Sequence, residues 1–333
     1  MENTIAEKIK MLEEKYAPMG QDVNSYLDGL LLSNYLTYWD YTQVETLLTL
    51  QNPKTDYPDE VIFIMYHQIT ELYFKLALHE YEQIGHNGKI ISPNGKDEGW
   101  KEHLDVDFFI ERIMRINRYF ESLTKSFEIM VDGMDQKQFL RYRMALLPAS
   151  GFQSAQYREI EICSTDFINL VDKDIRAQYE NKNAPVEEMF QHIYWNKGAT
   201  ELSTGKKTLT LEQFEKKYSK KFIDMANEYR DKNLWQKYLS LPESVQKDQR
   251  VINALKNIDV NVNVNWPLMH YKSAVRYLQQ KEGDVPATGG TNWQKYLPPR
   301  FQKRIFYPKL WSAQEIEEWG KSWVETNVYK VTR

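Results

Sequence analysis

Two histidines among large apolar residues are the side chains in this sequence best suited to chemistry. His67 lies in the run Phe63–Leu76, where apolar residues recur at helical spacing, and His270 follows Trp266–Met269. An imidazole in apolar surroundings is costly unless a partner satisfies it. A metal-bearing cofactor held between two helices would bond one histidine axially and place the other beside the opposite face. The alternative for each residue is an ordinary core histidine that is satisfied within the protein.

Arg143 is a third candidate, because it lies one helical turn after Phe139 on a short predicted helix. The residues just beyond it include Ser150 and Gln153, which have the spacing of a capping box at a helix start. A guanidinium beside a helix N-terminus can hold a carboxylate through paired hydrogen bonds and backbone donors. The competing interpretation of Arg143 is a surface ion pair.

The remaining histidines match the common metal motifs poorly. His79-Glu80 begins like the zinc-protease motif HExxH, but Gln83 stands where the second histidine must be. None of the six histidines has a glutamate three residues before it, which argues against a di-iron bundle. His103-Leu104-Asp105 has the spacing of two facial-triad ligands, but the sequence offers no evident third ligand.

Composition narrows the class of partner. A net charge of −4 and the lack of a basic stripe argue against a nucleic-acid partner. Apolar runs are too short to cross a membrane, and the N-terminal residues do not have the pattern of a secretory signal. The single cysteine, Cys163, cannot form an internal disulfide. We therefore expect a cytoplasmic protein without nucleic-acid or membrane partners.

Helical periodicity dominates the chain and predicts an all-α fold. We expect one large helical, cofactor-binding domain over 1–333, with an N-terminal arm at 1–35 and a polar helical insertion at about 200–260. The alternating segment Val260–Val264 is interpreted as an extended linker. The helices are predicted over Ser33–Gln51, Tyr57–Gly85, Leu104–Met130, Asp135–Leu147, Ser150–Asp172, Pro242–Leu255, Trp266–Gln280 and Trp311–Trp323.

Several long segments, taken together and in order, resemble the tryptophan 2,3-dioxygenase family of homotetrameric, all-α haem enzymes. The match spans most of the chain, which makes it far more specific than any one motif. The segments that carry it are Leu36–Tyr41, Asp59–Gln68, Glu71–Leu76, Phe139–Arg143, Ala149–Arg158, His270 and Thr288–Gly290.

The resemblance implies haem b as the cofactor, with His270 as the axial ligand of its iron. His67 would be the distal histidine that hydrogen-bonds the indole N–H of the substrate, and Ser150 and Gly151 would lie near the haem. The implied reaction inserts both atoms of O2 across the C2–C3 bond of L-tryptophan and gives N-formylkynurenine, the first step of the kynurenine pathway of tryptophan catabolism.

The resemblance also implies how the substrate is held. Phe63 and Phe139 would pack on the indole ring, and Arg143 would clamp the carboxylate of the amino acid. Thr288 would contact the ammonium and carboxylate end.

Residues from another subunit would complete the site in such a family member. Tyr38 and Tyr41 would reach into a neighbouring subunit's pocket, so a homotetramer, a dimer of dimers, is expected.

Two departures from the family pattern bear on the substrate. Trp266–Met269 replaces an arginine-rich run before His270, and Ala287–Trp293 replaces a glycine- and serine-rich loop. The alternatives are the same chemistry on another 3-substituted indole, or a non-catalytic haem-binding helical protein.

Overall fold

Helices make up most of the structure, a computed structural model that describes residues 3–180, 182–200, 206–279, 287 and 293–320. The contacts between residues divide the chain into two compact units. The first unit contains the described residues up to Leu50 together with Lys89–Lys101. Its elements are the helices α1 (Ile5–Tyr16), α2 (Val23–Leu32), α3 (Tyr38–Thr42) and α4 (Val44–Leu47), and the strands β1 (Lys89–Ile91) and β2 (Asp97–Trp100).

The first unit corrects two predictions. The helix predicted over Ser33–Gln51 is broken into α3 and α4, because Gln43 between them has a left-handed backbone with φ of 52°. The all-α prediction contained no strands, whereas the segment between the helices predicted over Tyr57–Gly85 and Leu104–Met130 forms the antiparallel pair β1–β2. The fold is therefore mostly α-helical with a minor two-stranded sheet.

The second unit contains Gln51–Gly88 and the described residues from Glu102 onward. Among the described residues, no helix is both long and apolar enough to span a membrane. The long helices are α5 (Asp59–Gly85), α6 (Val106–Ser126), α9 (Ala155–Ser164), α12 (Leu209–Glu228), α15 (Gln249–Val260) and α16 (Trp266–Leu278). The short ones are α7 (Glu128–Asp132), α8 (Gln136–Tyr142), α10 (Val186–Phe190), α11 (Trp195–Gly198), α13 (Leu234–Leu239), α14 (Glu243–Gln246), α17 (Trp293–Tyr296), α18 (Pro299–Gln302) and α19 (Ala313–Glu317).

Helix α5 lies at the centre of this unit and packs against α6 and α9. Its buried residues recur every three or four positions, as Tyr66, Thr70, Phe74 and Ala77 show. Helix α12, which lies in the predicted insertion, buries Phe214 and other apolar residues in the same core cluster. The bounds of that insertion and of the N-terminal arm stay predictions.

The prediction of an extended linker at Val260–Val264 was wrong. Asn261–Asn265 form a π-helical turn that joins α15 directly to α16. The alternation of valine and asparagine has the period of a strand, but Val262 and Asn263 are both buried. The asparagines are accommodated because they bond to one another and to neighbours, for example from Asn261 Nδ2 to Asn117 Oδ1 at 3.0 Å.

Candidate functional site

His67 is held in one orientation by its own helix. Its Nδ1 donates to the Phe63 carbonyl one turn earlier in α5, at 2.7 Å. In the neutral ring this leaves Nε2 as the hydrogen-bond acceptor. Burial lowers the pKa of His67, so the ring is neutral near pH 7. A methyl group placed on Gly151 would lie 3.8 Å from His67 Nε2, which shows that Gly151 faces the accepting nitrogen.

His270 is presented by the first turns of α16. Its Nδ1 donates to the Trp266 carbonyl at 3.4 Å, and its ring packs on Phe127 at a centroid distance of 4.6 Å. The ring is only partly buried by the protein. Burial, with a smaller contribution from the charge of nearby His67, lowers the pKa of His270 to about 4. A neutral imidazole with its Nδ1 tied to a carbonyl has the form of a metal ligand that coordinates through Nε2.

An aromatic wall connects α5, α8 and α16. Phe63 packs on His67 with ring centroids 4.2 Å apart, and it also contacts Phe139 at 6.2 Å. Phe139 in turn contacts Tyr277 of α16 at 4.9 Å. Tyr142 packs edge-on against both phenylalanines. The two predicted indole-packing residues, separated by more than 70 positions in the sequence, therefore lie together beside His67.

Sequence reasoning missed the two tyrosines of this wall. Tyr277 lies two helical turns after His270, and its hydroxyl donates to the carbonyls of Val131 and Met134 at 3.1 and 3.2 Å. These bonds fix α16 against the segment that leads into α8. Helical spacing from His270 was the one signal in the sequence that could have identified Tyr277.

Arg143 lies on the 3₁₀ turn Arg143–Leu146 that continues α8, and it is buried to 6% exposure. Its backbone N–H donates to the Phe139 carbonyl, so Arg143 and Phe139 lie on one hydrogen-bonded turn. Burial lowers the pKa of Arg143. A guanidinium at this depth can bind a carboxylate with little competition from water. The alternative of a surface ion pair does not fit a residue this buried.

The capping box predicted at Ser150 is present, but it starts a 3₁₀ turn instead of a long helix. Ser150 Oγ accepts from the Phe152 N–H at 3.3 Å, and the turn ends at Gln153. Ser154 then caps α9, which ends at Ser164 instead of Asp172. Thr210 at the start of α12 donates to the Pro148 carbonyl and accepts from Gln153 Nε2, so α12 braces this turn beside His67.

The remaining predicted site residues are Tyr38, Tyr41 and Thr288. Tyr38 and Tyr41 belong to the first unit, where they are 72% and 78% exposed. Their predicted role concerns a neighbouring subunit and stays a prediction. Thr288, like most of the loop 283–293, lies outside the described residues.

The side chains of the site distinguish between two kinds of ligand, a bare metal ion and a flat metal-bearing group. Among the described residues, no three histidine, cysteine, aspartate or glutamate side chains lie where they could together hold a metal ion. Asp105, whose spacing from His103 is that of two facial-triad ligands, caps α6 by accepting from the Phe108 N–H at 2.8 Å. One neutral imidazole on each of two helices fits a flat macrocycle better. A small residue accompanies each histidine: Gly151 lies near His67 Nε2, and Ala274 follows His270 by one helical turn.

Comparison with known proteins identifies the family. The family model for tryptophan 2,3-dioxygenase matches residues 30–251, which include His67, Phe139 and Arg143, whereas His270 lies beyond this range. The chain belongs to the tryptophan 2,3-dioxygenase family.

Relatives from several bacteria carry the same family name. A tryptophan 2,3-dioxygenase of Bacillus thuringiensis subsp. konkukian (strain 97-27) is 26% identical over 287 residues, which cover 84% of this chain and 92% of that protein. The Herpetosiphon aurantiacus protein is 25% identical over 85% of this chain and 99% of its own length. The Ruegeria sp. (strain TM1040) protein is 36% identical, over 38% of this chain and 40% of its own. The prediction of an oxidoreductase of the tryptophan 2,3-dioxygenase family is thereby confirmed.

Acidification should destabilise the cofactor-free protein through His270. The pKa of its ring is about 4 when folded and about 6.5 when unfolded, so the unfolded chain takes up the proton first. The stability contributed by the neutral ring is complete above about pH 6.5 and is lost as the pH falls towards 4. At about pH 5 the loss from His270 is about 2 kcal/mol. Burial of His67 acts in the same direction.

Urea denaturation at about pH 7 and pH 5 measures this effect. We expect His270→Gln to lose less free energy of unfolding between the two pH values than the unaltered protein does. His79→Gln, which changes an exposed histidine of α5, is the matched control. Equal losses in the His270→Gln variant and the unaltered protein would show that His270 is not the neutral ring of lowered pKa described here.

Proposed function

We propose that this chain binds haem b through His270 and uses O2 to cleave the indole C2–C3 bond of L-tryptophan, giving N-formylkynurenine. The observation that carries the proposal is the pair of neutral imidazoles on two helices, His67 against the aromatic wall and His270 against Phe127, near enough for His67 to influence the pKa of His270. Membership of the tryptophan 2,3-dioxygenase family supports the same assignment. When bound, haem supplies the activation of dioxygen, and the residues of the chain supply binding, orientation and exclusion of water.

His67 is proposed to orient the substrate by a single hydrogen bond. Its Nδ1 is committed to the Phe63 carbonyl, so Nε2 can accept the indole N–H. The bond needs only a neutral ring, which the lowered pKa provides near pH 7. An obligatory role as a base is not required for this positioning. A methyl group at position 151 would already be in contact with Nε2 at 3.8 Å, so the glycine keeps a side chain away from the accepting nitrogen.

The other end of the substrate is proposed to be fixed by Arg143. Phe63 and Phe139 would hold the indole by ring packing, which is sensitive to shape. Arg143, one turn from Phe139, would bind the carboxylate, and Thr288 would contact the ammonium end. A hydrogen bond at the indole N–H and an ion pair at the carboxylate define both ends of an amino acid that carries an indole.

The active form is proposed to be a homotetramer in which Tyr38 and Tyr41 reach a neighbouring subunit. Both side chains are exposed, and Trp39 between them is 54% exposed. Helix α5 also leaves an apolar stripe in solvent, at spacings of four and three residues. The stripe consists of Met65, Ile69, Leu72 and Leu76. Exposed apolar surface of this kind is typical of subunit contacts.

Turnover by the reduced protein tests the proposal. Hemin-loaded protein, reduced and mixed with L-tryptophan in air-saturated buffer, is expected to form N-formylkynurenine, which is measured by absorbance and by mass. Tryptamine and indole-3-propionate, which lack one end of the amino acid, are the comparison substrates. Faster turnover of either would favour the alternative of another 3-substituted indole. Haem binding with unchanged tryptophan would favour a non-catalytic haem-binding protein, and failure to bind haem would contradict the proposal outright.

A further inference from the structure

The π-helical turn before His270 leaves a backbone carbonyl in need of a donor. Within the turn, the Trp266 N–H donates to the Asn261 carbonyl five residues earlier. The same spacing would pair the Val262 carbonyl with residue 267, but that residue is Pro267, which has no N–H. Val262 is fully buried, and a buried carbonyl without a donor is costly.

Two side chains from elsewhere in the unit serve this carbonyl. The Tyr157 hydroxyl, on α9, donates to the Val262 carbonyl at 2.9 Å. Arg304 Nη2 donates to the Tyr157 oxygen at 2.6 Å and lies 3.4 Å from the same carbonyl. Arg304 is itself held by Glu161, whose Oε1 accepts from Nη1 at 2.5 Å. All of these side chains are buried, so the bonds are made in a medium of low dielectric.

The segment that contains Arg304 also holds the last turn of α15. The Phe306 and Tyr307 N–H groups donate to Asp259 at 2.9 and 3.1 Å, and Trp311 Nε1 donates to it at 3.0 Å. Arg304 Nε donates to the side chain of Asn263 within the π turn. The segment of Arg304 therefore bonds to side chains on both sides of Val262.

The π turn decides which face α16 turns towards Phe127. A π turn holds one more residue than an α turn, and each residue of a helix rotates the next by about 100°. Relaxation of this turn to α-helix would therefore rotate the side chains of α16 by about that angle relative to α15. The His270 ring, whose centroid lies 4.6 Å from that of Phe127, would then no longer pack on Phe127.

We propose that Tyr157 and Arg304 are positioning residues for His270, acting through the Val262 carbonyl to maintain the π turn. They do not contact the imidazole, and the inference rests on the proposed function, in which His270 binds haem. The loss of either side chain would allow the π turn to fluctuate, so the direction in which His270 Nε2 points would be less well defined. Arrangements that orient a metal ligand commonly affect affinity by about 10–100-fold.

Tyr157→Phe is the variant that tests this inference, with Tyr238→Phe as the matched control. Both tyrosines are buried and donate to a backbone carbonyl, that of Gln246 in the case of Tyr238. Amide hydrogen exchange of the cofactor-free protein measures order along α16. Hemin titration measures the affinity that His270 provides.

We expect Tyr157→Phe to accelerate exchange across 266–278 about tenfold, the equivalent of one lost hydrogen bond, while exchange in α5 stays unchanged. Hemin should bind about tenfold more weakly than to the Tyr238→Phe control. Pro267→Ala restores an N–H that can reach Val262, so adding it to Tyr157→Phe should recover part of the lost protection. Purely additive effects of the two substitutions, or equal behaviour of both tyrosine variants, would overturn the inference.

The two measurements separate this inference from the proposed function. Hydrogen exchange needs no haem, so it tests the positioning of α16 even if the unaltered protein fails to bind hemin. Failure to bind hemin with the expected exchange result would contradict only the proposed function. Normal hemin binding by the unaltered protein, with no effect of Tyr157→Phe in either measurement, would contradict only the inference.

Discussion

His270→Ala is expected to yield folded protein that does not retain haem. The substitution removes the one imidazole that α16 offers to the iron, and the rings that pack on it, Phe127 and Trp266, cannot replace it as a ligand. Changes that merely misorient a metal ligand cost about 10–100-fold in affinity, so loss of the ligand should weaken hemin binding by more than about 100-fold. The Soret band after hemin reconstitution and gel filtration measures the effect.

His79→Ala is the control for this variant, because His79 is an exposed histidine of α5. Circular dichroism of both variants establishes that each is folded. A Soret band of full height in His270→Ala would mean that another residue binds the iron. This result matters because His270 lies beyond the part of the chain matched by the family model.

Arg143→Ala is expected to lower kcat/KM for L-tryptophan by about 100-fold or more. Two charge-assisted hydrogen bonds to the substrate carboxylate are worth about 3 kcal/mol in a buried site, and each 1.4 kcal/mol is about tenfold. Tryptamine has no carboxylate, so its turnover should hardly change. The ratio of the two kcat/KM values, measured for each variant, isolates the carboxylate contact from any general damage.

Arg141→Ala is the matched control, because Arg141 is exposed and lies two residues away on α8, the helix that the turn of Arg143 continues. We expect it to behave as the unaltered protein with both substrates. An equal loss of activity towards L-tryptophan and tryptamine in Arg143→Ala would show that Arg143 supports the fold and does not bind the carboxylate.

Local patterns in the sequence predicted the parts of the fold that local forces determine. The helix predicted over Tyr57–Gly85 is observed as Asp59–Gly85, because apolar residues at helical spacing bury one face of it. The capping box at Ser150 was also confirmed, since its bonds join residues two and three positions apart. The helix predicted to follow the box was too long, because Ser154 supplies a second cap, at which α9 begins.

Interactions between distant residues produced what the sequence could not predict. The period of Val260–Val264 is that of a strand, but bonds from Tyr157 and Arg304 stabilise a π turn there instead. Likewise, sequence spacing alone could not place Phe139 beside Phe63, and the resemblance to a family supplied that expectation. Tyr142 and Tyr277, which complete the aromatic wall, carry no local signal strong enough to single them out.

Isotopic labelling of the product tests the central claim most directly. Hemin-loaded, reduced protein is supplied with L-tryptophan and isotopically labelled dioxygen in ordinary water, and the product is analysed at once by mass spectrometry. Cleavage of the C2–C3 bond by a dioxygenase predicts N-formylkynurenine in which both inserted oxygen atoms carry the label. A product with one labelled oxygen or none, or unchanged tryptophan in protein with a full Soret band, would contradict the account.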